Sequence, residues 1–533
     1  MDEKSRYRKY IRDNRPSIIG LSILSCSASI IVVAFAYLSK LLLDNVSNPY
    51  FIWYAVATGV LLAAEVGCKF LYSYVANLKV YKTENAVKKQ AFFAFLRKDY
   101  RAAEEMDDAD VLNRLTSDCK VIAEGIITYI PDFAGLLTRI AASLAVLFFI
   151  DAYFAGGLLI LGIAIYFATK LLRRRNKALH KQTQQAEGEV LSFYKEGIAH
   201  SFLFKLFSSG RKVSERCDEI QQKYEKARMR YTGFNIFVNT GFLLFMRASY
   251  LFAIIWSALS IAQGGSVGSL FAIIQLIAQI EGPFGSISGL IPRYFRTLGS
   301  VERVLSLETD AQSQSVEISS FDAPVKVDDI TFGYGDGHTP LRGVSLEIAP
   351  GDFIAVVGGS GAGKSTLLKC IMGMYSPESG AVTYRGEDIS RCQSLFTYVP
   401  QGNFLIPGSI EDNLLLFAPE AKREQIDRAL ALTMLKDKID SLPDKLKSSV
   451  SDFGAGLSEG EGQRLSIARA LLVNRPVLVL DECTSALDEA TEKAVLDNLV
   501  SLNKTIILVS HKPCATAYAN KIIRLERPEK EQS

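Results

Sequence analysis

The hydrophobic pattern divides the 533-residue chain into an apolar N-terminal part and a C-terminal part typical of a soluble α/β protein. A helix needs about 20 apolar residues to span a bilayer, and the first part contains six such runs. These runs begin near Ser17, Phe51, Thr128, Tyr153, Gly233 and Val267. The predicted fold class is therefore a membrane-embedded, all-α domain of six helices followed by an α/β domain.

The segments that flank the predicted spans alternate in charge. Three of them are short and contain neither Lys nor Arg, namely residues 44–50, 150–154 and 259–268. Four others are rich in basic residues, namely residues 4–15, 79–120, 171–181 and 205–230. Because basic loops stay in the cytoplasm, we predict a multi-pass protein with a cytoplasmic N-terminus. The even number of spans then returns the chain to the cytoplasm.

The two long basic segments, 79–120 and 205–230, are polar and helical in pattern. They predict helices that extend well beyond the bilayer, either as solvated hairpins or as arms whose tips dock on the C-terminal domain. The first apolar run is too long for a cleaved signal peptide, so it is expected to be a retained anchor. Since no organelle presequence precedes it, the expected location is a plasma membrane of bacterial type.

Composition excludes several other classes of protein. A net charge of +3 is too small to indicate nucleic-acid binding. The eight cysteines are scattered without a CxxC pair or a metal-ligand spacing. We therefore expect reduced thiols and no disulfide framework.

Four ionisable residues lie inside the predicted spans, at a similar depth near the bilayer midplane: Glu65, Arg139, Arg247 and Glu281. Charged groups are costly there and indicate functional sites by default. Two acids and two bases at one level either neutralise each other as ion pairs or line a cavity for a polar or charged cargo. Glu281 is the first candidate, because the glycine and proline that follow it loosen its helix. Glu65 has a rival partner in Lys69, one turn along the same helix.

A glycine-rich stretch follows the strand-like run 353–357 and precedes the helix-like run 367–374. It has the form GxxxxGK[ST], and the residues singled out in it are Gly358, Ser360, Gly361, Gly363, Lys364, Ser365 and Thr366. Glycines let backbone N–H groups turn towards phosphates, and the helix N-terminus adds its dipole. Lys364 is expected to reach the β- and γ-phosphates of a nucleotide, and Ser365 to ligate Mg²⁺.

Two further apolar runs of strand type end in residues suited to phosphate hydrolysis. Run 477–480 ends in Asp481-Glu482, where Asp481 can hold Mg²⁺ and Glu482 can polarise the attacking water. Run 505–509 leads to Ser510-His511, where the histidine can contact the γ-phosphate. Together these motifs predict an ATPase or GTPase fused to a six-span membrane domain.

The stretch between these motifs resembles the exporter branch of the ABC transporter family. Residues 398–401 (YVPQ) resemble the Q-loop, residues 457–464 (LSEGEGQR) the signature motif, and residues 485–488 (SALD) the D-loop. Tyr334 stands where an aromatic ring stacks on adenine in that family. Each motif alone is weak, whereas their number and order are highly specific.

The resemblance covers essentially the whole chain and implies its organisation. A transmembrane domain is expected at 1–307, a linker at 308–324 and an ABC-type ATP-binding domain at 325–533. Residues 110–120 and the segment around 198–207 resemble the two coupling-helix regions of the family, which carry the motion of the ATP-binding domain to the spans.

The resemblance also implies a mechanism and roles for single residues. Each ATP is held by the phosphate loop of one chain and the signature of another, so one chain works as half of a dimer. Glu482 is expected to act as the base, His511 to steady the γ-phosphate, and Gln401 to sense nucleotide and Mg²⁺. Further nucleotide contacts are implied for Ser458, Gly460 and Asp488.

The signature departs from the family pattern LSGGQ, because Glu459 replaces a glycine and Glu461 the glutamine. Carboxylates near a triphosphate are unfavourable because both groups are negatively charged. Either the two side chains therefore point away from the nucleotide, or this signature serves a weakened ATP site. The first alternative favours a homodimer, and the second a heterodimer with a related half-transporter.

Three functions remain open from the sequence. The first is ATP-driven export of a peptide, amphipathic metabolite, drug or lipid. The second is import on the same architecture, and the third is an ATP-gated or regulatory protein without coupled transport. The intact pair of Glu482 and His511 favours turnover over the third.

Overall fold

The computed structural model describes residues 3–206, 210–308, 316–335, 339–402, 404–450, 457–510, 512 and 516–526. The chain divides into two compact units, which we call the helical unit and the mixed unit. The helical unit comprises Met1–Phe92 and Ala109–Leu307, and the mixed unit comprises Phe93–Asp108 and Glu308–Ser533.

Helices are the secondary structure of the described residues up to Leu305. Within the described part they are α1 (Glu3–Asp13), α2 (Arg15–Asp44), α3 (Phe51–Leu96), α4 (Tyr100–Glu104), α5 (Asp108–Asn113), a π-helical turn (Arg114–Asp118), α6 (Cys119–Ile150), α7 (Ala152–Ala199), α8 (Ser201–Leu206), α9 (Gly210–Ala262) and α10 (Val267–Leu305). Helix α4 belongs to the mixed unit and the others lie wholly or mainly in the helical unit.

Six long helices of the described chain, α2, α3, α6, α7, α9 and α10, contain the six predicted spans. The longest are α3, α7 and α9, with 46, 48 and 53 residues. At about 1.5 Å per residue each exceeds twice the hydrocarbon thickness of about 30 Å. By length and composition, Arg15–Asp44, Phe51–Leu96 and Asp108–Ile150 can cross a membrane, and shorter apolar stretches occupy Arg247–Ala262 and Val267–Pro283.

Aspartates close two of the short turns between long helices. Asp151 caps α7 by accepting a hydrogen bond from the backbone N–H of Phe154 at 2.9 Å, and it also accepts one from the indole N–H of Trp256 at 2.7 Å. Asp44, the last residue of α2, accepts from the backbone N–H of Gly268 at 3.0 Å. The turns predicted to be free of basic residues are thus fixed by carboxylates.

Close helix contacts around α6 depend on residues without a side chain. A Cβ on Gly125 would lie 2.3 Å from the hydroxyl of Thr297 on α10, and one on Gly135 would lie 2.1 Å from the hydroxyl of Ser25 on α2. Small residues let helix backbones approach in this way within membranes. Helix α6 is therefore the centre against which α2 and α10 pack.

The end of α10 is tied to the start of α6 by a buried carboxylate. Asp118 of the π-helical turn accepts hydrogen bonds from the Nε of Arg303 at 2.8 Å and from the hydroxyl of Ser300 at 2.8 Å. The second guanidinium arm of Arg303 also reaches Asp118, so the pair is bidentate. Such pairs fix geometry as well as charge.

The mixed unit contains the strands and shorter helices. In its described residues these are β1 (Val325–Phe332), β2 (Leu341–Ile348), β3 (Phe353–Gly358), α11 (Lys364–Ile371), β4 (Ser379–Tyr384), β5 (Glu387–Asp388), β6 (Phe396–Val399), β7 (Gly408–Ser409), α12 (Ile410–Leu415), α13 (Arg423–Leu432), α14 (Lys436–Asp440), β8 (Ser449–Val450), α15 (Glu459–Val473), β9 (Val477–Asp481), α16 (Glu489–Val500), β10 (Thr505–Val509) and β11 (Lys521–Leu525).

Two larger sheets organise this unit. Strands β11, β3, β10, β9 and β6 form a parallel sheet in that order, and β2, β1, β4 and β5 form an antiparallel one. Strands β9 and β10 are buried along their whole length, as expected for parallel strands covered on both faces. The runs predicted as strands at 353–357, 477–480 and 505–509 are central members of this sheet.

Candidate nucleotide site

The phosphate loop lies between the end of β3 at Gly358 and the start of α11 at Lys364. Gly361 and Gly363 have φ values of +77° and +88°, in the left-handed region that favours glycine. A Cβ on Gly363 would also lie 2.8 Å from the carbonyl oxygen of Pro340. The loop backbone and its tight contact therefore require the glycines that the motif supplies.

The amine of Lys364 lies against its own loop. Its Nζ donates to the carbonyl oxygens of Gly358 at 3.1 Å and Gly359 at 3.2 Å, and it lies 3.8 Å from a carboxylate oxygen of Glu482. Only 8% of the side chain is exposed. A largely buried ammonium group beside a glycine-rich loop is suited to bind phosphate oxygens.

Asp481 ends β9 and is 2% exposed. Burial raises the pKa of Asp481 above its usual value, the hydrogen bonds from Ser365 and Tyr398 oppose the rise, and the charge of Glu482 adds to it. The Tyr398 hydroxyl donates at 3.1 Å. A divalent cation would favour the charged form, and a carboxylate beside a hydroxyl is an all-oxygen donor set of the kind that Mg²⁺ prefers.

Glu482 adopts a left-handed backbone conformation with φ +48°. Its backbone N–H donates to the carbonyl oxygen of Val509 on β10 at 3.1 Å, and its carboxylate accepts from the Nε2 of Gln401 at 2.8 Å. The Gln401 amide oxygen can act as an acceptor or metal ligand. A strained backbone that the surrounding structure maintains is a mark of functional sites.

Tyr334 lies beside the helix that follows the phosphate loop. Its hydroxyl is 2.9 Å from the hydroxyl of Thr366, and its ring packs edge-on against Phe332 with centroids 5.3 Å apart. The ring packs similarly on Tyr375 and keeps 40% of its surface exposed. An aromatic ring oriented by three contacts and still open to solvent is suited to stack on a flat base.

Helix α4 contacts this site, which the sequence did not predict. The guanidinium of Arg101 donates to the carbonyl oxygen of Tyr334 at 3.1 Å and lies over the ring of Phe332. Glu104 forms an ion pair with Lys369 of α11 at 2.7 Å and accepts a hydrogen bond from Tyr375. We call these contacts of α4 the docking cluster.

The docking cluster precedes the segment predicted for the first coupling region. Residues 110–120 belong to the helical unit, in which Asp118 pairs with Arg303. The available sequence signal for α4 was Asp99, which caps it by accepting from the backbone N–H groups of Arg101 and Ala102. In the second predicted region, 198–207, the end of α7 continues into α8, and residue 207 lies outside the described residues.

The signature motif forms the start of α15, with Ser458 as its N-cap. The Ser458 hydroxyl accepts from the backbone N–H of Glu461, and the Glu461 carboxylate accepts from the backbone N–H of Ser458 at 2.7 Å. Lys438 lies 3.4 Å from the same carboxylate. Burial acts to raise the pKa of Glu461, but the Ser458 N–H and Lys438 outweigh it and lower the pKa. Glu459 is exposed.

The signature also contacts the D-loop of its own chain. The Gln463 amide donates to the Ser485 hydroxyl and accepts from the backbone N–H of Ala486, both at 3.1 Å. A Cβ on Gly460 would lie 2.9 Å from the carbonyl oxygen of Ala486. Asp488 caps α16 through the backbone N–H of Thr491.

The predicted site residues thus form two groups in the described part of the chain. The phosphate loop, Asp481, Glu482, Gln401 and Tyr334 are linked by direct contacts. The contacts of Ser458, Gly460 and Asp488 run to α15, the D-loop and α16. His511 lies outside the described residues.

Both parts of this chain are similar to known proteins. The profile of the ABC transporter transmembrane region matches residues 17–284, and the ABC transporter profile matches residues 341–485. A mycobactin import ATP-binding/permease protein of Mycolicibacterium thermoresistibile is 30% identical over 74% of this chain and 72% of its own. The chain belongs to the ABC transporter family.

Other relatives match nearly the whole length. A probable ABC transporter ATP-binding/permease protein of Haemophilus influenzae is 28% identical over 88% of this chain and 87% of its own. An ATP-dependent lipid A-core flippase of Chromobacterium violaceum is 26% identical over 95% and 90%. The fold matches a bacterial Atm1-family ABC exporter with ATP bound at a TM-score of 0.81, covering 97% of this chain and 95% of the other.

The predicted fold class and family are therefore confirmed. This ABC transporter chain is an exporter-type half-transporter in which a transmembrane domain precedes an ATP-binding domain. It is a multi-pass membrane protein and an ATPase coupled to transport, and half-transporters of this kind dimerise in the membrane.

The structure places the four predicted cavity residues of this transporter in different settings. Glu65 pairs with Lys69 on α3, as the rival interpretation anticipated. Arg247 on α9 lies within electrostatic reach of Glu281 on α10, and one carboxylate oxygen of Glu281 is buried without a hydrogen-bond partner in the described residues. The Nε atom of Arg139 is buried and has no such partner either.

The packing of three helices forms a polar cluster that no sequence motif indicates. Arg293 of α10 lies 3.3 Å from a carboxylate oxygen of Asp132 and donates to the hydroxyl of Thr128 at 2.6 Å, both on α6. Tyr72 of α3 donates to the other oxygen of Asp132. Only packing brings residues so distant in sequence together.

Replacing the base tests the chemistry of the site. Glu482→Gln keeps the contact partners in place but removes the negative charge that can accept a proton. We expect the kcat of ATP hydrolysis to fall by about 10²–10⁴-fold while ATP still binds. The measurement is steady-state ATPase together with fluorescent-nucleotide binding, with Glu489→Gln on α16 as control. A Glu482→Gln protein with more than half of the wild-type rate would contradict the assignment.

Two substitutions at one position test why Glu461 occupies the signature. Glu461→Ala removes one arm of the capping box, which costs about 1 kcal/mol. Glu461→Gln retains it, because glutamine at this position also reaches the N-cap backbone. We therefore expect thermal unfolding in detergent to show a lowered midpoint for Glu461→Ala only. Glu459→Ala, at an exposed position, serves as control, and equal losses for Ala and Gln at position 461 would refute this explanation.

Proposed function

We propose that this half-transporter hydrolyses Mg²⁺-ATP to drive the outward translocation of a polar or amphipathic cargo by alternating access, as one of two identical copies. The observation that carries the proposal is the docking cluster, in which a helix between two spans contacts both the aromatic residue and the helix of the phosphate loop. In a nucleotide site built in this way, movement caused by the nucleotide can pass directly to the helix between the two spans.

Hydrolysis is assigned to the group around Glu482. Its carboxylate would accept the proton of the water whose oxygen attacks the γ-phosphorus, as the bond from that phosphorus to the ADP oxygen breaks. Lys364 would bind the β- and γ-phosphate oxygens. Ser365, Asp481 and Gln401 are the residues suited to hold Mg²⁺, which would supply charge neutralisation when bound. His511 is assigned to the γ-phosphate by resemblance alone.

Coupling is assigned to α4. Arg101 binds the backbone of Tyr334, so a shift of that ring upon base stacking would move the N-terminal turn of α4. Glu104 binds Lys369, so a rotation of α11 upon phosphate binding would move the C-terminal turn. Because α4 is joined to α3 on one side and to α5 and α6 on the other, both movements reach the spans through the chain.

A second copy of the chain is favoured as the partner. The signature Ser458 is exposed, as a residue that completes a partner's ATP site must be. Glu461 is engaged by its own helix N-terminus and Lys438, which supports a signature that serves a working ATP site. The tip formed by α7 and α8 also carries exposed apolar side chains at Ile198, Phe202 and Leu206, which favours a protein surface opposite it.

The proposed orientation has the N-terminus and the ATP-binding domain in the cytoplasm and the spans in a plasma (inner) membrane, as the basic segments indicate. Arg247 and Glu281 support a cargo with polar or charged groups, such as a peptide, an amphipathic metabolite or a lipid headgroup. Import is the second candidate, which the name of the mycobactin import relative favours.

Reconstitution of the purified chain in inside-out vesicles tests the proposal. We expect a two-copy species whose ATP-dependent cargo uptake is abolished by Glu482→Gln, since coupled transport needs turnover. Cargo is first identified by a screen for compounds that stimulate the ATPase in lipid nanodiscs. Inactivity of the chain alone, rescued by a related half-transporter, would replace the homodimer by a heterodimer. ATP-dependent loss from such vesicles would favour import.

Arg101→Met tests, in the same vesicles, whether transport depends on the contact of α4 with the nucleotide site. It removes the contact with the Tyr334 backbone but leaves the groups around Glu482 intact. We expect basal ATP hydrolysis within about threefold of wild type and cargo uptake reduced about tenfold or more, because misplacement at a distance has costs of this size. Arg97→Met, an exposed arginine four residues earlier, should change neither. Parallel loss of ATPase and uptake would argue against coupling through α4.

Glu281→Gln tests the cargo assignment. If its carboxylate contacts cargo, the cargo concentration that half-maximally stimulates the ATPase should rise about tenfold or more, since charge-assisted hydrogen bonds contribute about 1.5–3 kcal/mol. Glu65→Gln is the matched control, because that carboxylate has its own lysine on the same helix. Unchanged stimulation and uptake for Glu281→Gln would exclude the role.

A further inference from the structure

A lysine with no role in the mechanism above lies close behind the site. Lys512 follows β10 by three residues, and its Nζ donates to the backbone carbonyl oxygens of Thr484 at 2.9 Å and Leu487 at 2.8 Å. It also lies 3.2 Å from the carboxylate of Glu492 on α16. An ammonium group has three N–H donors, so these three acceptors use its full capacity.

Its acidic partner is deeply buried. Only 1% of the Glu492 side chain is exposed, and its second carboxylate oxygen accepts from the hydroxyl of Thr484 at 2.8 Å. A buried carboxylate needs both hydrogen bonds and a countercharge, and in the described part of the chain Lys512 supplies the charge. The pair therefore has a fixed geometry.

The carbonyl groups that Lys512 binds belong to the segment between Glu482 and Asp488. This segment is held on another side by Gln463, through Ser485 and Ala486. The left-handed backbone of Glu482 begins the same segment and is also anchored to β10. Lys512 thus ties the segment to the end of β10 and to α16 at once.

We propose that Lys512 is a positioning residue for ATP hydrolysis, which holds residues 483–488 so that Glu482 and the D-loop keep their working geometry. The proposal rests on the assignment of Glu482 as the base. Lys512 itself touches no reacting atom, so its loss should affect kcat and leave the KM for ATP unchanged.

The experiment compares Lys512→Met, Lys512→Arg and the double variant Lys512→Met/Glu492→Gln in full-length protein in lipid nanodiscs. The double variant guards against misfolding, because it leaves no uncompensated buried charge. We expect kcat to fall about tenfold or more in Lys512→Met and in the double variant, with KM within about twofold. Lys512→Arg, which keeps the charge and donors, should retain more of the kcat than either.

Lys504→Met is the matched control. The Lys504 amine binds the Arg475 carbonyl oxygen at 2.8 Å and the Asn474 side chain at 2.7 Å, at the opposite end of β10. It should leave kcat unchanged. A kcat within twofold of wild type in the folded double variant, a raised KM at unchanged kcat, or failure of every Lys512 variant to fold would overturn the proposal. Undiminished hydrolysis by Glu482→Gln, measured in parallel, would instead overturn the assignment of the base.

Discussion

Parallel pairing of β3, β10 and β9 is the constraint on which the nucleotide site depends. Their register places the carboxyl ends of all three strands at one edge of the sheet. The phosphate loop leaves β3 there, Asp481 and Glu482 end β9, and Ser510 follows β10. The hydrogen bond from the Glu482 N–H to the Val509 carbonyl oxygen extends this pairing beyond the strand and sets the left-handed turn. A shift of one register would separate the acids from Lys364.

The contacts of the docking cluster are individually weak compared with the continuous hydrogen-bonded pairing of the sheet. The ion pair of Glu104 and Lys369 is partly exposed, at 43% and 18% of the two side chains, and a pair near the surface contributes about 0–1 kcal/mol. The rings of Tyr100 and Tyr375, 6.0 Å apart, add an aromatic contact of about 0.5–1.5 kcal/mol, and the Lys369 amine lies over both. Several small contacts hold α4 in place, which suits the coupling role proposed for this helix.

Features that depend on local spacing were predicted from the sequence. Features that depend on tertiary packing were not. The phosphate loop, the acids after β9 and the capping box of Ser458 and Glu461 are encoded within a few residues, and the pairing of Glu65 with Lys69 follows from one helical turn. Helix α4 has five residues and no apolar pattern, so its docking had no periodic signal. The cluster of Asp132, Arg293 and Tyr72 arises only when three helices pack.

The segment from Glu482 to Asp488 connects two functions in one chain. It begins at the base assigned to the chain's own ATP, and through Gln463 it is bonded to α15, whose N-terminus is proposed to serve the ATP of the partner. Lys512 joins the same segment to the strand end that precedes it. If the partner's nucleotide displaces α15, the hydrogen bonds of Gln463 transmit that displacement to the segment, and Lys512 resists it. The balance between the hydrogen bonds of Gln463 and those of Lys512 then determines whether Glu482 is in position. Each ATP site can in this way respond to occupancy of the other through the seven residues 482–488.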